Sequence, residues 1–293
     1  MSAKRVLVCG GGGMLGHRLV LTLAAAGHHV RASLRSAPSE KSLLARLVNL
    51  DLFITGYDLT DEAAITRAIA AAEPDVIVNC VGIIKQKPGA QDAIASVEVN
   101  SLLPHRLARA AEAAGARLIH ISTDCVFSGA VGGYREDDLP DPPDIYGRSK
   151  LLGEVGAPHV TLRTSLIGWQ AHGAESLLNW FWAQKGEIRG FTHAIFSGLS
   201  TPALSRVILG VIDQAPDLAG LYHVAAAPIS KHELLSRLND LAGGRVGIRP
   251  DADFAIDRSL NGSRFEEATG LAAPSWDDML SELVDIRKFY DDD

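Results

Sequence analysis

Short apolar runs alternate with amphipathic stretches along the first half of the chain. Arg5–Cys9, His29–Ser33, Asp75–Cys80, Arg117–Ser122 and His159–Arg163 each read as a strand. They are rich in Val, Ile and Leu, and most are apolar throughout, with little alternation of polar residues. That is the pattern of strands buried on both faces. Between them, apolar residues recur at helical spacing. Gly16–Ala26 carries Leu19, Leu23 and Ala26 on one side and stops at Gly27. Ala64–Ala72 closes at Glu73-Pro74, Val97–Ala114 ends at Gly115, and a further helix runs from Tyr146 to about Glu154. Strands that alternate with helices in this way predict a parallel sheet covered on both faces.

The pattern breaks at Ser128–Tyr146, which holds three glycines, three prolines and several acids, and reads as a loop. Beyond about Leu166 the strand–helix alternation weakens. Trp169, Trp180 and Trp182 cluster there, and helices are expected at Thr201–Ala215, Ser230–Ala242 and Trp276–Tyr290. We therefore expect an α/β, Rossmann-type, doubly wound sheet over residues 1–165. Residues 166–293 are expected to form a smaller α/β substrate lobe, interleaved in part with the first.

Composition narrows the function. The 293 residues are 47% hydrophobic and 22% charged, a globular balance that excludes a disordered chain. The net charge of −7 comes without a basic block, which argues against a nucleic-acid partner. The apolar runs are short of the ~18 residues of a membrane span, and the start lacks a leader's apolar stretch. Three cysteines, Cys9, Cys80 and Cys125, form neither a disulfide framework nor a zinc pattern. A cytoplasmic protein without a metal is expected.

Three motifs carry chemistry. Gly10-Gly11-Gly12-Gly13-Met14-Leu15-Gly16 follows a strand and opens a helix. Glycines at 10, 13 and 16 let the backbone turn tightly and approach a pyrophosphate, which the helix N-terminus favours. The second strand ends Ser33-Leu34-Arg35 with no acid, so Ser33 and Arg35 suit a 2′-phosphate and point to NADPH rather than NADH. Asp58, beside Leu59, either reaches the adenine amino group or serves the start of the next helix. The second motif is Tyr146-Gly147-Arg148-Ser149-Lys150. Residues four apart on a helix share a face, so the Lys150 ammonium is expected to favour the Tyr146 phenolate and lower its pKa. The third is Ser122-Thr123-Asp124 at the carboxyl end of a strand, where open α/β sheets bind ligands. Trp169, Trp180 and Trp182 either stack on a base or fill a core, and Arg258 either grips a diphosphate or lies on the surface.

Taken together, these stretches resemble the extended short-chain dehydrogenase/reductases. The likeness is greatest to the dTDP-4-dehydrorhamnose reductase group of nucleotide-sugar reductases. It is carried by Cys9–Gly16, Pro74–Gly82, Val99-Asn100, Ser122–Phe127, Tyr134–Asp137, Tyr146–Glu154, Leu162–Ser165 and Gly220–Val224. The resemblance implies Tyr146 as proton donor, Thr123 as the residue that positions the carbonyl oxygen, and Lys150 on the nicotinamide ribose. Asn100 would support Lys150 through water. Cys80, Val81 and Gly82 would lie along the adenosine ribose, and Arg163 just before the carboxamide site. Beside these implied roles, Ser122 and Asp124 by position, and Trp169 and Arg258 by their chemistry, are expected to line the substrate. Cys125 departs from the tyrosine often found at its position, which leaves the sugar open. The implied reaction is NADPH-dependent reduction of a nucleotide-activated 4-keto-6-deoxy sugar, with a homodimer left open. Three alternatives stand beside it: an epimerase or dehydratase of the same superfamily, a non-catalytic NADP-binding regulatory subunit, and a reductase of small non-sugar carbonyls.

Overall fold

The computed structural model describes residues 2–84, 92–171 and 176–291. Its centre is a seven-stranded sheet in the order β10-β6-β5-β4-β1-β2-β3. The strands are β1 (Arg5–Cys9), β2 (His29–Leu34), β3 (Phe53–Thr55), β4 (Val76–Asn79), β5 (Arg117–Thr123), β6 (Val160–Thr164) and β10 (Gly220–His223). Every pairing among them is parallel. Alternate residues of β1 serve opposite faces, Val6 and Val8 packing on one side and Leu7 and Cys9 on the other.

Helices cover both faces. One layer holds α1 (Gly16–Ala25), with Leu19, Val20 and Leu23 buried, and α8 (Thr201–Gln214), with Leu204, Ile208 and Val211 buried. The opposite layer holds α3 (Glu62–Ala72) and α5 (Leu103–Ala113), which bury Ile65, Ile69, Leu103 and Leu107. Before α5 the same helix runs as α4 (Ala93–Ser96) and then as a π-helical turn over Val97–Leu102. Asp92 starts it by accepting from the Ile94 and Ala95 N–H groups. The short α2 (Leu43–Leu47) follows β2, and α6 (Ile145–Leu152) begins at the Asp144 cap.

The later part of the chain divides between two structures. α8 and β10 join the large layered body, whereas β8 (Glu187–Phe196), β11 (Ile229–Ser230) and β12 (Gly247–Asp257) form a separate three-stranded sheet. β12 runs parallel to β8 and β11 antiparallel to it. α9 (Lys231–Leu241) covers this sheet with Leu234, Leu235 and Leu238. β7 (Leu166–Ile167) pairs with β9 (Leu199–Ser200), and α7 (Leu177–Ala183), α10 (Ser263–Thr269) and α11 (Trp276–Asp285) complete the lobe. The segment from Ser128 to Asp144 is stitched to it: Phe127 stacks on Tyr134 at 4.1 Å, and Tyr134 N–H donates to the Ser259 carbonyl at 2.9 Å. This stitch brings residues 257–260 of the second lobe to the carboxyl end of β5.

Two long strands, β8 and β12, were not expected from the sequence. β12 exposes most of its residues and contains Pro250, so it lacks an apolar signature. No described helix is long and apolar enough to cross a membrane.

Candidate active site

The glycine loop connects β1 to α1. Gly10 adopts φ +81°, a left-handed backbone that glycine adopts without strain. A Cβ at Gly16 would stand 2.1 Å from the Gly10 carbonyl oxygen, so only glycine fits that crossing. No side chain caps α1 and no acid lies in its first turn, so its leading N–H groups and positive end face the loop. Leu15 is buried and Met14 half-buried beside them. His17 braces the cradle, one ring nitrogen 2.7 Å from the Gly13 carbonyl and the other 2.7 Å from the Tyr290 hydroxyl. A pyrophosphate fits this cradle on steric and electrostatic grounds.

The ends of β2 and β3 carry the next expected contacts. Arg35 is exposed and lies near enough to Asp58 to help hold its carboxyl below the ordinary range, after the stronger effect of hydrogen bonds from Thr60. Asp58 accepts from the Thr60 N–H at 3.1 Å and its hydroxyl at 2.8 Å, which ties the turn, while Asp61 caps α3. Ser33 departs from expectation. It is buried beside Cys9, its register partner on β1, and its hydroxyl acts on that thiol, so it faces the sheet rather than a 2′-phosphate. Leu59 is buried in the layer behind. After β4, the Val81 N–H donates to Asn79 Oδ1 at 3.1 Å. Val81 side-chain and main-chain atoms lie against the space where a Gly10 Cβ would stand, at 3.1–3.2 Å. Cys80 is half-buried there, its thiol pushed up by burial, and Gly82 stands beside the Asn100 carboxamide.

At the carboxyl end of β5 the structure brings Thr123, Tyr146 and Lys150 together. Thr123 Oγ1 accepts from the Cys125 N–H at 3.1 Å and donates to Asp124 Oδ1 at 3.1 Å. Its hydroxyl is also a hydrogen-bond partner of Tyr146. α6 can approach this closely because position 147 is glycine, where a Cβ would stand 2.2 Å from the Cys125 carbonyl oxygen. Burial, with Cys125, Asp124 and Asp144 adding to it, pushes the Tyr146 phenol up, and only the Thr123 hydroxyl opposes them. The expected lowering by Lys150 does not arise, because Lys150 is not among the groups acting on the phenol, and Tyr146 stays neutral. Lys150 Nζ donates to the Ile121 carbonyl at 2.7 Å. Burial brings its pKa down to about 8, against the pull of Glu154 and Cys80.

Several expected contacts take other partners. Asn100 Oδ1 accepts from the Ile83 N–H at 2.9 Å, and its Nδ2 donates to the Ile83 carbonyl and to Ser149 Oγ at 3.1 Å each. It joins the loop after β4 to α6. Ser122 is buried and donates to Glu154 Oε1 at 2.7 Å. Arg163 is buried too, in a two-pronged pair with Glu154 at 2.7 Å per contact, its guanidinium over the Phe127 ring. Both face the interior, not a ligand. Trp169 is a core residue, its Nε1 donating to the Leu283 carbonyl at 2.8 Å and its ring packed between Trp182 and Tyr290. Asp124 is buried at the site, with burial raising its carboxyl.

Arg258 does reach the site, crossing from the second lobe. Its Nε donates to the Phe127 carbonyl at 2.9 Å and its Nη1 to Cys125 Sγ at 3.5 Å. Lys231, at the first turn of α9, is a residue the sequence reading missed. Its ammonium sits 3.6 Å from the centre of the Phe196 ring, facing Asp124 and Cys125, with no carboxylate in ion-pair contact among the described residues. Burial brings its pKa down to about 8. Nothing in its surroundings, Ser230-Lys231-His232-Glu233, marks it; only the packing of the two lobes does.

Comparison with known proteins assigns the chain to a family. The family described as RmlD substrate binding domain matches residues 4–287. The chain belongs to that family. A spore coat polysaccharide biosynthesis protein, SpsK of Bacillus subtilis, is 28% identical over 97% of this chain and 98% of its own length. A dTDP-4-dehydrorhamnose reductase of Mycolicibacterium smegmatis is 37% identical over 52% of this chain, the match spanning 41% of that relative. Among solved structures, the dTDP-4-dehydrorhamnose reductase of Bacillus anthracis in complex with NADP superposes with a TM-score of 0.78 at 22% identity, over 97% of this chain and 99% of that one. That likeness speaks to the fold. By family, the chain is an oxidoreductase.

Proposed function

We propose that this protein reduces the keto group of a nucleotide-activated 4-keto-6-deoxy sugar with NADPH, in deoxysugar or polysaccharide biosynthesis. The observation that carries the reading is the convergence of Thr123, Tyr146 and Lys150 at the carboxyl end of β5, on the same edge of the sheet as the glycine cradle. The nicotinamide, when bound, supplies the hydride. Gly10, Gly13 and Gly16 would admit its pyrophosphate, and Arg35 the 2′-phosphate.

The chain's own residues handle the oxygen. A neutral, half-buried phenol is the form a proton donor needs, so Tyr146 gives its proton to the oxygen of the reduced carbonyl. The Thr123 hydroxyl, already bonded to Tyr146, exchanges that contact for the substrate oxygen and fixes its place. The Lys150 ammonium, anchored on the Ile121 carbonyl, stabilises the phenolate that remains. Lys231 and Arg258 supply positive charge from the second lobe and suit an anionic or oxygen-rich substrate. The enclosure of these groups makes each charge more effective than it would be in water.

The test is spectrophotometric. Purified protein is mixed with NADPH or NADH and a panel of 4-keto-6-deoxy nucleotide sugars, and the reduced nicotinamide absorbance is followed. Consumption with one sugar, faster with NADPH, is the expected result. Cofactor binding without consumption of any sugar would overturn the reductase reading. It would favour an epimerase or dehydratase that retains its cofactor, or a binding-only subunit.

A further inference from the structure

His120 is a buried titratable side chain that the scheme above does not use. It lies on β5 in register with Asn79 of β4, and both are fully enclosed. The orientation of Asn79 is determined by its neighbour. The Val81 N–H donates to Oδ1 at 3.1 Å, so the amide nitrogen is the atom that faces His120 Nδ1, 3.1 Å away. An amide nitrogen only donates. Nδ1 must therefore accept, and the single proton of a neutral imidazole lies on Nε2. Nε2 stands 3.4 Å from Lys150 Nζ. The ring thus turns an N–H, not a lone pair, towards the ammonium, and leaves the Ile121 carbonyl at 2.7 Å as the Lys150 anchor.

We propose that Asn79 and His120 form a positioning pair for Lys150, Asn79 selecting the imidazole tautomer and His120 denying the ammonium an acceptor on that side. The kinetic part of this proposal rests on the reductase reading, in which Lys150 must carry charge. The other groups around the pair are accounted for. Glu154 and Cys80 face Lys150 and strengthen its hold on its proton, against burial. Burial first, then Lys150 and His105, keeps His120 neutral. Within this setting the tautomer is the adjustable element. With an acceptor lone pair on Nε2, the ammonium would be held more firmly and the lysine drawn off the Ile121 carbonyl.

The test has two arms. The first needs no substrate. Nitrogen-15 correlation spectra of histidine-labelled protein report the tautomer of each neutral ring, and His120→Gln identifies the signal. Nε2–H at His120 is expected, and Nδ1–H would overturn the proposal. The second arm uses Asn79→Asp, whose carboxylate accepts from Nδ1–H and moves the ring proton there. The freed Nε2 lone pair then accepts from Lys150. The alkaline fall in kcat should move up by about one pH unit, as expected for a new hydrogen bond to the charged form. A switched tautomer with an unmoved pH profile would overturn the proposal, because a merely structural pair would behave that way. Failure of turnover with every sugar would count against the reductase reading, while the tautomer spectrum still decides this one.

Discussion

Glu154→Gln tests the structure and the chemistry together. Glu154 holds Arg163 through two contacts of 2.7 Å and accepts from Ser122 at 2.7 Å. The side chains of the pair are only 3% and 11% exposed for Arg163 and Glu154. Gln has the same shape, so packing is preserved and the change is electrostatic. One prong of the pair becomes an amide nitrogen facing a guanidinium, two donors in contact, and the Arg163 charge is left buried without its counter-ion. Breaking such a pair costs about 3–5 kcal/mol. For a chain of this size that lowers the melting temperature by roughly 6–10 °C. A second effect reaches the reaction centre. The negative charge of Glu154 is the leading influence that raises the Lys150 pKa against burial, which has brought it down to about 8. Without that charge the ammonium loses its proton at lower pH. Activity that depends on charged Lys150 is present below its pKa and lost as pH rises through it, so the alkaline limb of the rate profile should move to lower pH. Differential scanning calorimetry and a kcat–pH series measure the two effects. A variant that melts within a degree or two of wild type would refute the stabilising role of the pair, and an unmoved limb would refute the coupling to Lys150.

Three further outcomes follow. Tyr146→Phe should lower kcat about 10²–10⁴-fold or more while NADPH binding by fluorescence titration stays within about twofold, and wild-type turnover would remove Tyr146 as donor. Arg35→Ala should weaken NADPH by roughly tenfold, an ion-pair loss of about 1.4 kcal/mol, and leave NADH nearly unchanged, whereas equal losses would detach Arg35 from the 2′-phosphate. Lys231→Met should raise the KM for the sugar nucleotide and also stabilise the fold at pH 7. Its ammonium titrates near 8 in the folded state against about 10.5 unfolded, so the unfolded chain binds more protons between those values. The penalty, up to about 3 kcal/mol, is full below pH 8 and vanishes as pH rises through 10.5, so the variant's advantage in urea should fade over that window.

Much of the layered body was legible in the chain. Apolar strands of Val, Ile and Leu, punctuated by Gly27, Glu73-Pro74 and Gly115, give the strand and helix positions of the first half to within a few residues. Gly10, Gly13 and Gly16 announce a cradle because only a residue without Cβ fits 2.1 Å from a carbonyl oxygen. Tyr146 and Lys150 share a helix face by spacing alone. The sequence reading passed over β8, although its residues alternate between exposed and buried, β12, most of whose residues are exposed, and the π turn at Val97–Leu102.

The partners of polar groups lay further out of reach. Ser122, Ser33, Arg163 and Trp169 have the right chemistry for a ligand, yet they face Glu154, Cys9, Glu154 and Leu283. Lys231 and Arg258 stand more than 100 residues from Cys125 in sequence and meet it only because the second lobe packs over β5. Backbone preference and hydrophobic period act over a few residues and are written in the sequence. Which buried donor meets which acceptor, and whether burial or a neighbouring charge governs a pKa, depends on distances between segments far apart in the chain, and these exist only once it has folded.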